Sequence, residues 1–310
     1  MDFVVFTISL AMILFGSDYI IRYGEKIALK LNISKTVITL GLISVGVSLP
    51  EFIVTITANN NNLPEMAIAN VIGSNIVNMT LILPTLFLIT IKIVSARNFF
   101  AKNSVWVLIS VIFFILVAYD GVIDKVDGII LIFVMLAYLM FLFEFSKELN
   151  IPTLEEDYTK KFSWIKSISV ILISFILIYF GAKMAIDSVS NIGTMMKISD
   201  WNVGVVLLGA GVAFPELIIS VVAALKHRVD IALGSIISSI LINMTMVIGT
   251  TATIKSIKFS FTDHLFDISI MLISAIVLVT ASISKLNGRA VALIFFMLLT
   301  LFLKKLFLAL

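Results

Sequence analysis

Apolar runs of about twenty residues recur along the chain, and each is long enough to cross a hydrocarbon core of about 30 Å. Inside a bilayer every backbone donor and acceptor must be satisfied by the protein, which leaves helices or a closed barrel. The two-residue alternation of barrel strands is absent, so the runs are helices. Composition agrees: 60% of the 310 residues are hydrophobic and 13% charged, against roughly 45–50% and 25% in a soluble domain. The expected fold is an all-α polytopic membrane protein with ten transmembrane helices, near 3–24, 34–59, 64–91, 103–119, 127–146, 166–193, 200–225, 230–254, 265–283 and 290–309.

The first residues, "MDFVVFTISL", carry an acid where a signal peptide has basic residues, so the first span is expected to be retained. With no cysteine, disulfide, thiolate-metal and thiol redox chemistry are excluded. The net charge of +3 does not point to nucleic acid, because the basic residues are scattered among short loops. They report topology instead. Arg22, Lys26, Lys30, Lys35, Lys92, Arg97, Lys102, Lys147, Lys160, Lys161, Lys166, Lys226, Arg228, Lys285 and Arg289 fall on one side of the ten-span scheme. Only Lys125, Lys183, Lys197, Lys255, Lys258, Lys304 and Lys305 fall on the other. The positive-inside rule then places both termini outside and the polar stretch 146–165 in the cytoplasm. That stretch reads as a linker between a five-helix unit at 1–145 and another at 166–310.

The two units are copies. Shifted by 165 residues, "GVSLPE" (46–51) meets "GVAFPE" (211–216), and "ANVIGSNIVNMT" (69–80) meets "GSIISSILINMT" (234–245), with no gap. Five spans is an odd number, so the second copy enters the membrane from the opposite side. Inverted repeats of this kind build secondary transporters, whose substrate sits at the midplane where interrupted helices meet.

Glu51 and Glu216 occupy the same point of the two copies, deep within their spans. An acid at that depth costs about 2.5–3.5 kcal/mol on insertion scales and marks a functional site by default. Pro50 and Pro215 remove a backbone donor and free the carbonyls of Gly46 and Gly211. The neighbouring spans supply Ser74 with Asn78 and Ser239 with Asn243, each pair four residues apart and so on one helical face. This all-oxygen set suits a hard cation, and Ca²⁺ takes 6–8 oxygen ligands with carboxylates among them. Two carboxylates about 5 Å apart repel by about 3 kcal/mol at an effective dielectric of 20. An empty site therefore resists occlusion and crosses only when cations or protons neutralise it, which predicts obligatory exchange.

These residues resemble the calcium/cation antiporter superfamily, and most closely its prokaryotic sodium/calcium exchanger branch. The family's paired motifs, G-T-S-x-P-E and G-N-x-x-G-S-N, correspond here to "GVSLPE" with "ANVIGSN" and to "GVAFPE" with the degraded "GSIISSI". The resemblance implies that Glu51 and Glu216 are the principal ligands, completed by the carbonyls of Val47 and Val212 and by Ser48, Ser74, Asn78 and Ser239. It also implies that the first and sixth spans slide across the bundle. The chain departs from the pattern at Val47, Val212 and Ala213, where hydroxyls are lost, and at Asn243, where many members have Asp.

The expected function is a secondary-active antiporter exchanging Ca²⁺ for Na⁺ in the plasma membrane of a prokaryote, with inorganic cations and the lipid bilayer as expected partners, no nucleic acid and no cofactor. Proton coupling is the alternative. Sodium is preferred because Phe52 and Leu217 follow the two acids where the resemblance implies a histidine in the proton-coupled branch. No catalytic arrangement appears, so an enzyme is not expected. Asp18 is expected to pair with Arg22 one turn on, and Asp120, Asp124 and Asp127 to form a solvated loop.

Overall fold

A computed structural model describes residues 2–30, 48–89, 97–146, 163–225, 229–284 and 288–308. The protein is mostly helical. Helix α1 (Asp2–Lys30) is followed by α2 (Leu49–Asn60) and by α3 (Pro64–Val77), which runs through a π-helical turn (Asn78–Ile82) into α4 (Leu83–Ile89). Next come α5 (Arg97–Ala118), strand β1 (Val122–Ile123), α6 (Lys125–Ser146) and α7 (Trp164–Met196). Helix α8 (Asp200–Val203) passes through a π-helical segment (Gly204–Gly209) into α9 (Ala210–Leu225). Helix α10 (Val229–Ile242) does the same through Asn243–Val247 into α11 (Ile248–Ile254), and β2 (Ile257–Lys258), α12 (Leu265–Ile283) and α13 (Gly288–Leu308) follow. Among the described residues seven helices are long and apolar enough to cross a membrane: Asp2–Gly24, Pro64–Ile89, Ala101–Ala118, Lys125–Leu142, Trp164–Met196, Ala232–Ile254 and Leu265–Ile283.

Local chemistry sets the helix ends. The Ser163 hydroxyl accepts from the Lys166 amide at the start of α7, and left-handed Lys197 closes its other end. Pro64 opens α3, where its missing N–H is no loss. Asp124 accepts from the amides of Val126 and Asp127, and the Asp127 carboxylate accepts from the Asp124 amide, a reciprocal cap for α6.

Burial separates a centre from a periphery. The best apolar windows of Pro64–Ile89 and Ala232–Ile254 are 78% and 83% buried, against 28% for Trp164–Met196. The peripheral α7 turns Leu172, Ile173, Ile176, Tyr179 and Phe180 outward, as a lipid-facing surface requires. Helices α1 and α7 pack along one another in opposite directions. Gly16 meets Ile178 and Ser174, Gly181 meets Ile13 and Ser9, and Asn191 donates to Asp2 at 3.5 Å. At the centre, α3 presses its backbone onto the π-helical segment before α9. A Cβ on Gly73 would lie 2.5 Å from the Val205 carbonyl oxygen, and one on Gly209 would lie 2.9 Å from the Gly73 Cα, so both positions need glycine.

Several loops gather at one end of the bundle. Strand β1 pairs antiparallel with β2. The Lys255 ammonium donates to the Asn59 carbonyl at 2.9 Å and to Asn62 Oδ1 at 2.8 Å. Lys305 reaches buried Asp267 at 2.8 Å, and Trp201 Nε1 donates to the same carboxylate oxygen.

Two features were not expected from the spacing. The central helices were read as regular, but each widens into a π-helical turn that starts at Asn78 or at Asn243. In both, a threonine hydroxyl donates to the carbonyl four residues back: Thr80 to Ile76 and Thr245 to Leu241, each at 2.6 Å. These hydroxyls cover carbonyls where the regular ladder is disturbed. The expected break at Pro50 is, over the described residues, the first turn of α2.

Candidate functional site

Four stretches of chain meet at the bundle centre: the start of α2, the end of α3 with its π-turn, the first turns of α9, and the end of α10 with its π-turn. They bring together Ser48 and Glu51, Ser74 and Asn78, Val212 and Glu216, and Ser239 and Asn243, all buried. Val47 and Gly46 lie outside the described residues.

Ser48 stands at the N-cap of α2 but does not cap it. Its hydroxyl instead donates across to Ser239 Oγ at 3.2 Å, 191 residues away. Ser239 in turn donates to Glu216 Oε1 at 2.7 Å. A relay of two hydroxyls thus ends on one carboxylate and ties the first half of the chain to the second. The other Glu216 oxygen has no partner, and neither does either oxygen of Glu51. The two carboxylates lie within electrostatic range of each other, so their charges repel. Among the described residues no Lys, Arg or His pairs with either acid; the three ion pairs found there involve Asp18, Glu65 and Asp267.

The amides complete the shell. Asn243 Nδ2 donates to Ser74 Oγ at 3.4 Å and to Asn75 Oδ1 at 3.3 Å, leaving Asn243 Oδ1 buried and unpartnered. Asn78 faces the Glu216 carboxylate and interacts with it, without a well-aligned hydrogen bond at either of its polar atoms. Ser74 spends its hydrogen on the Val71 carbonyl of its own helix at 3.1 Å. Pro215 sits inside α9 and cannot donate to the Gly211 carbonyl. The site therefore offers carboxylate and amide oxygens that burial leaves unsatisfied, beside serine hydroxyls that are already engaged. Leaving such groups buried costs about 1–3 kcal/mol each, and more when charged. A hard cation or a proton relieves that cost. Among the described residues no cluster of three or more Asp, Glu or His gathers that could hold a metal, so the arrangement depends on neutral oxygens beside its two acids.

Spacing alone passed over three polar groups. Asn75 follows Ser74 directly in "ANVIGSN", but the four-residue spacing singled out only 74 and 78. Asn70 donates to Thr55 at 3.0 Å one turn away from Glu51. Asp267, fully buried near the start of α12, is held by Trp201 and Lys305; an acid beside an apolar run was the signal available for it. Two other readings agree with the structure. Asp18 pairs with Arg22 at 2.8 Å. Asp124 is an exposed helix cap, and the amides of Asp127 and Val126 hold its carboxyl below the ordinary range.

Comparison with known proteins adds an independent line. The family model described as sodium/calcium exchanger protein matches residues 1–144 and 166–307. An uncharacterised membrane protein of Methanocaldococcus jannaschii is 29% identical over 235 residues, covering 76% of each chain. A sodium/calcium exchanger of Methanosarcina acetivorans is 25% identical over 316 residues, covering 89% of this chain and 90% of its own. Among solved structures, the sodium-calcium exchanger NCX_Mj soaked with 2.5 mM Na⁺ and 10 mM Sr²⁺ superposes with a TM-score of 0.65 at 25% identity, covering 97% of each chain.

Proposed function

The chain belongs to the sodium/calcium exchanger protein family, and on that premise we propose that it is an antiporter exchanging Ca²⁺ for Na⁺ by alternating access at a site between Glu51 and Glu216. One observation carries this reading. Two buried acids at equivalent points of a duplicated sequence present three unpartnered oxygens to the same region, with no described cationic side chain to neutralise them. A dication matches two carboxylates in charge, and Ser48, Ser74, Ser239, Asn78 and Asn243 with the carbonyls of Val47 and Val212 complete an oxygen shell. Val47 and Val212 contribute no hydroxyl, so sodium relies on carbonyls, serines and the acids.

The proposed frame is ten spans in two inverted units, 1–145 and 166–310, joined by a cytoplasmic linker at 146–165, with both termini outside the plasma membrane of a prokaryote. The antiparallel packing of α1 on α7 supports it, because these two helices are equivalents under the 165-residue shift. So does the gathering at one end of loops that charge counting assigns to the outside.

Proteoliposomes loaded with Na⁺ and diluted into Na⁺-free buffer are expected to take up Ca²⁺, and a protonophore is expected to leave the uptake intact. Uptake driven by a pH gradient with no Na⁺ present would replace sodium by protons as the coupling ion. Orientation is read separately: with no native thiol to add background, Ser163→Cys is expected to react with an impermeant thiol reagent only from the cytoplasmic side. Asn61→Cys is expected to react only from outside. Labelling of both from one side would remove the inverted frame.

A further inference from the structure

We infer that Asn75 is a positioning residue of the cation site: it holds the Asn243 amide so that its carbonyl, and not its NH₂ group, is left free for the ion. The inference rests on the exchanger reading above.

An asparagine side chain has two ends of almost the same shape and opposite chemistry. The oxygen only accepts and the nitrogen only donates two hydrogens. Shape does not choose between them in a packed interior, so hydrogen-bond partners must. At Asn243 both amide hydrogens are directed to α3, one to Ser74 Oγ at 3.4 Å and one to Asn75 Oδ1 at 3.3 Å. Its donor capacity is then used up. What remains is Oδ1, buried and without any partner. Ser74, whose hydrogen is spent on the Val71 carbonyl, and Asn75 Oδ1 both present acceptors to this amide, so both select its NH₂ end. Asn75 is buried, and its own Nδ2 has no partner.

The second copy of the repeat provides an internal control. Asn75 corresponds to Ile240, so no neighbouring amide orients Asn78, which faces the Glu216 carboxylate instead. The two site amides therefore differ: Asn243 directs its NH₂ to Ser74 and Asn75 and leaves its oxygen free, whereas Asn78 lies against a carboxylate. If Asn243 turned over, its NH₂ would offer positive charge to an arriving cation and a hydrogen bond to a neighbouring carboxylate of the empty site. Both effects favour the empty state and weaken cation binding.

Asn75→Leu, which keeps the approximate volume and removes the acceptor, is expected to raise the apparent KM for Ca²⁺ on the order of tenfold with kcat within about twofold, the scale of one hydrogen bond. Asn75→Asp keeps the acceptor and is expected to return KM to near the wild-type value. The decisive arm is the Asn243→Asp background. A carboxylate has no wrong end, so adding Asn75→Leu there is expected to change KM by less than about twofold. An equal KM increase in both backgrounds, or one in Asn75→Asp as large as in Asn75→Leu, means that residue 75 acts only through packing and overturns the inference. Wild-type protein that shows no Na⁺-driven Ca²⁺ uptake refutes the exchanger reading instead, so the two failures are distinct.

Discussion

At Glu51, Pro50 lies in the first turn of α2, both carboxylate oxygens are unpartnered, and the nearby Ser74 hydroxyl is turned to its own backbone. At Glu216, Pro215 lies inside α9 downstream of a π-helical segment, and a relay from Ser48 through Ser239 ends on the carboxylate. Equivalent motifs thus produce two inequivalent acids, one held and one free. The difference traces to single positions. Ser48 has Ala213 as its counterpart, so the second copy has no hydroxyl to send towards Ser74. Asn75 has Ile240, so only one of the two amides is held by a neighbouring amide. A carboxylate that accepts a hydrogen bond has its orientation fixed by the donor, while one without a partner can turn towards a cation. Similarity of the two motifs in sequence therefore does not make the two acids interchangeable.

The largest expected effect tests whether both acids are needed despite that difference. Glu51→Gln and Glu216→Gln are each expected to abolish Ca²⁺ uptake in proteoliposomes while the purified proteins remain monodisperse, since each removes a charge the dication requires. Near-normal flux in either variant would break the comparison at its root. An intermediate effect sharpens it. Ser239→Ala removes a hydrogen bond to a charged group, so KM for Ca²⁺ is expected to rise on the order of tenfold. Ser74→Ala is expected to raise KM less, about threefold, because it removes a neutral oxygen and an acceptor for Asn243 but no hydrogen bond to a carboxylate. Equal shifts in the two variants would erase the distinction between held and free.

The smallest effect is expected far from the site. Asp124→Asn should leave exchange kinetics unchanged and lower the melting temperature slightly at neutral pH. Because the amides of Asp127 and Val126 depress the Asp124 carboxyl below its ordinary value, its contribution is present above the ordinary carboxylate range. It is lost as pH falls through the depressed value, so the difference in melting temperature should vanish in strong acid. A loss of Ca²⁺ uptake in this variant would turn the acidic loop around Asp124 from a cap into part of the ion path.

Much of this was legible in the residues themselves. Apolar run length located the seven membrane-length helices found among the described residues, because backbone groups in lipid leave little choice of structure; the span expected at 265–283 is α12, Leu265–Ile283. The register of the repeat pairs Glu51 with Glu216, and Ser74 and Asn78 with Ser239 and Asn243. Burial of a charge is so costly that an acid within an apolar run announces itself. The π-helical turns at Asn78 and Asn243 were not legible, since helix periodicity does not record where a turn admits one more residue.

Sequence alone therefore determined that the chain is a helical membrane protein, that it is duplicated, and which acids and amides form its polar centre, because hydrophobic run length and intramembrane charge act locally along the chain. Only the tertiary structure decided which hydroxyl reaches which carboxylate and which end of each amide is free. Ser48 bonds Ser239 across 191 positions and Asn243 bonds Asn75 across 168. Such hydrogen bonds depend on ångström-scale distance and on donor direction, which spacing along a helix does not encode.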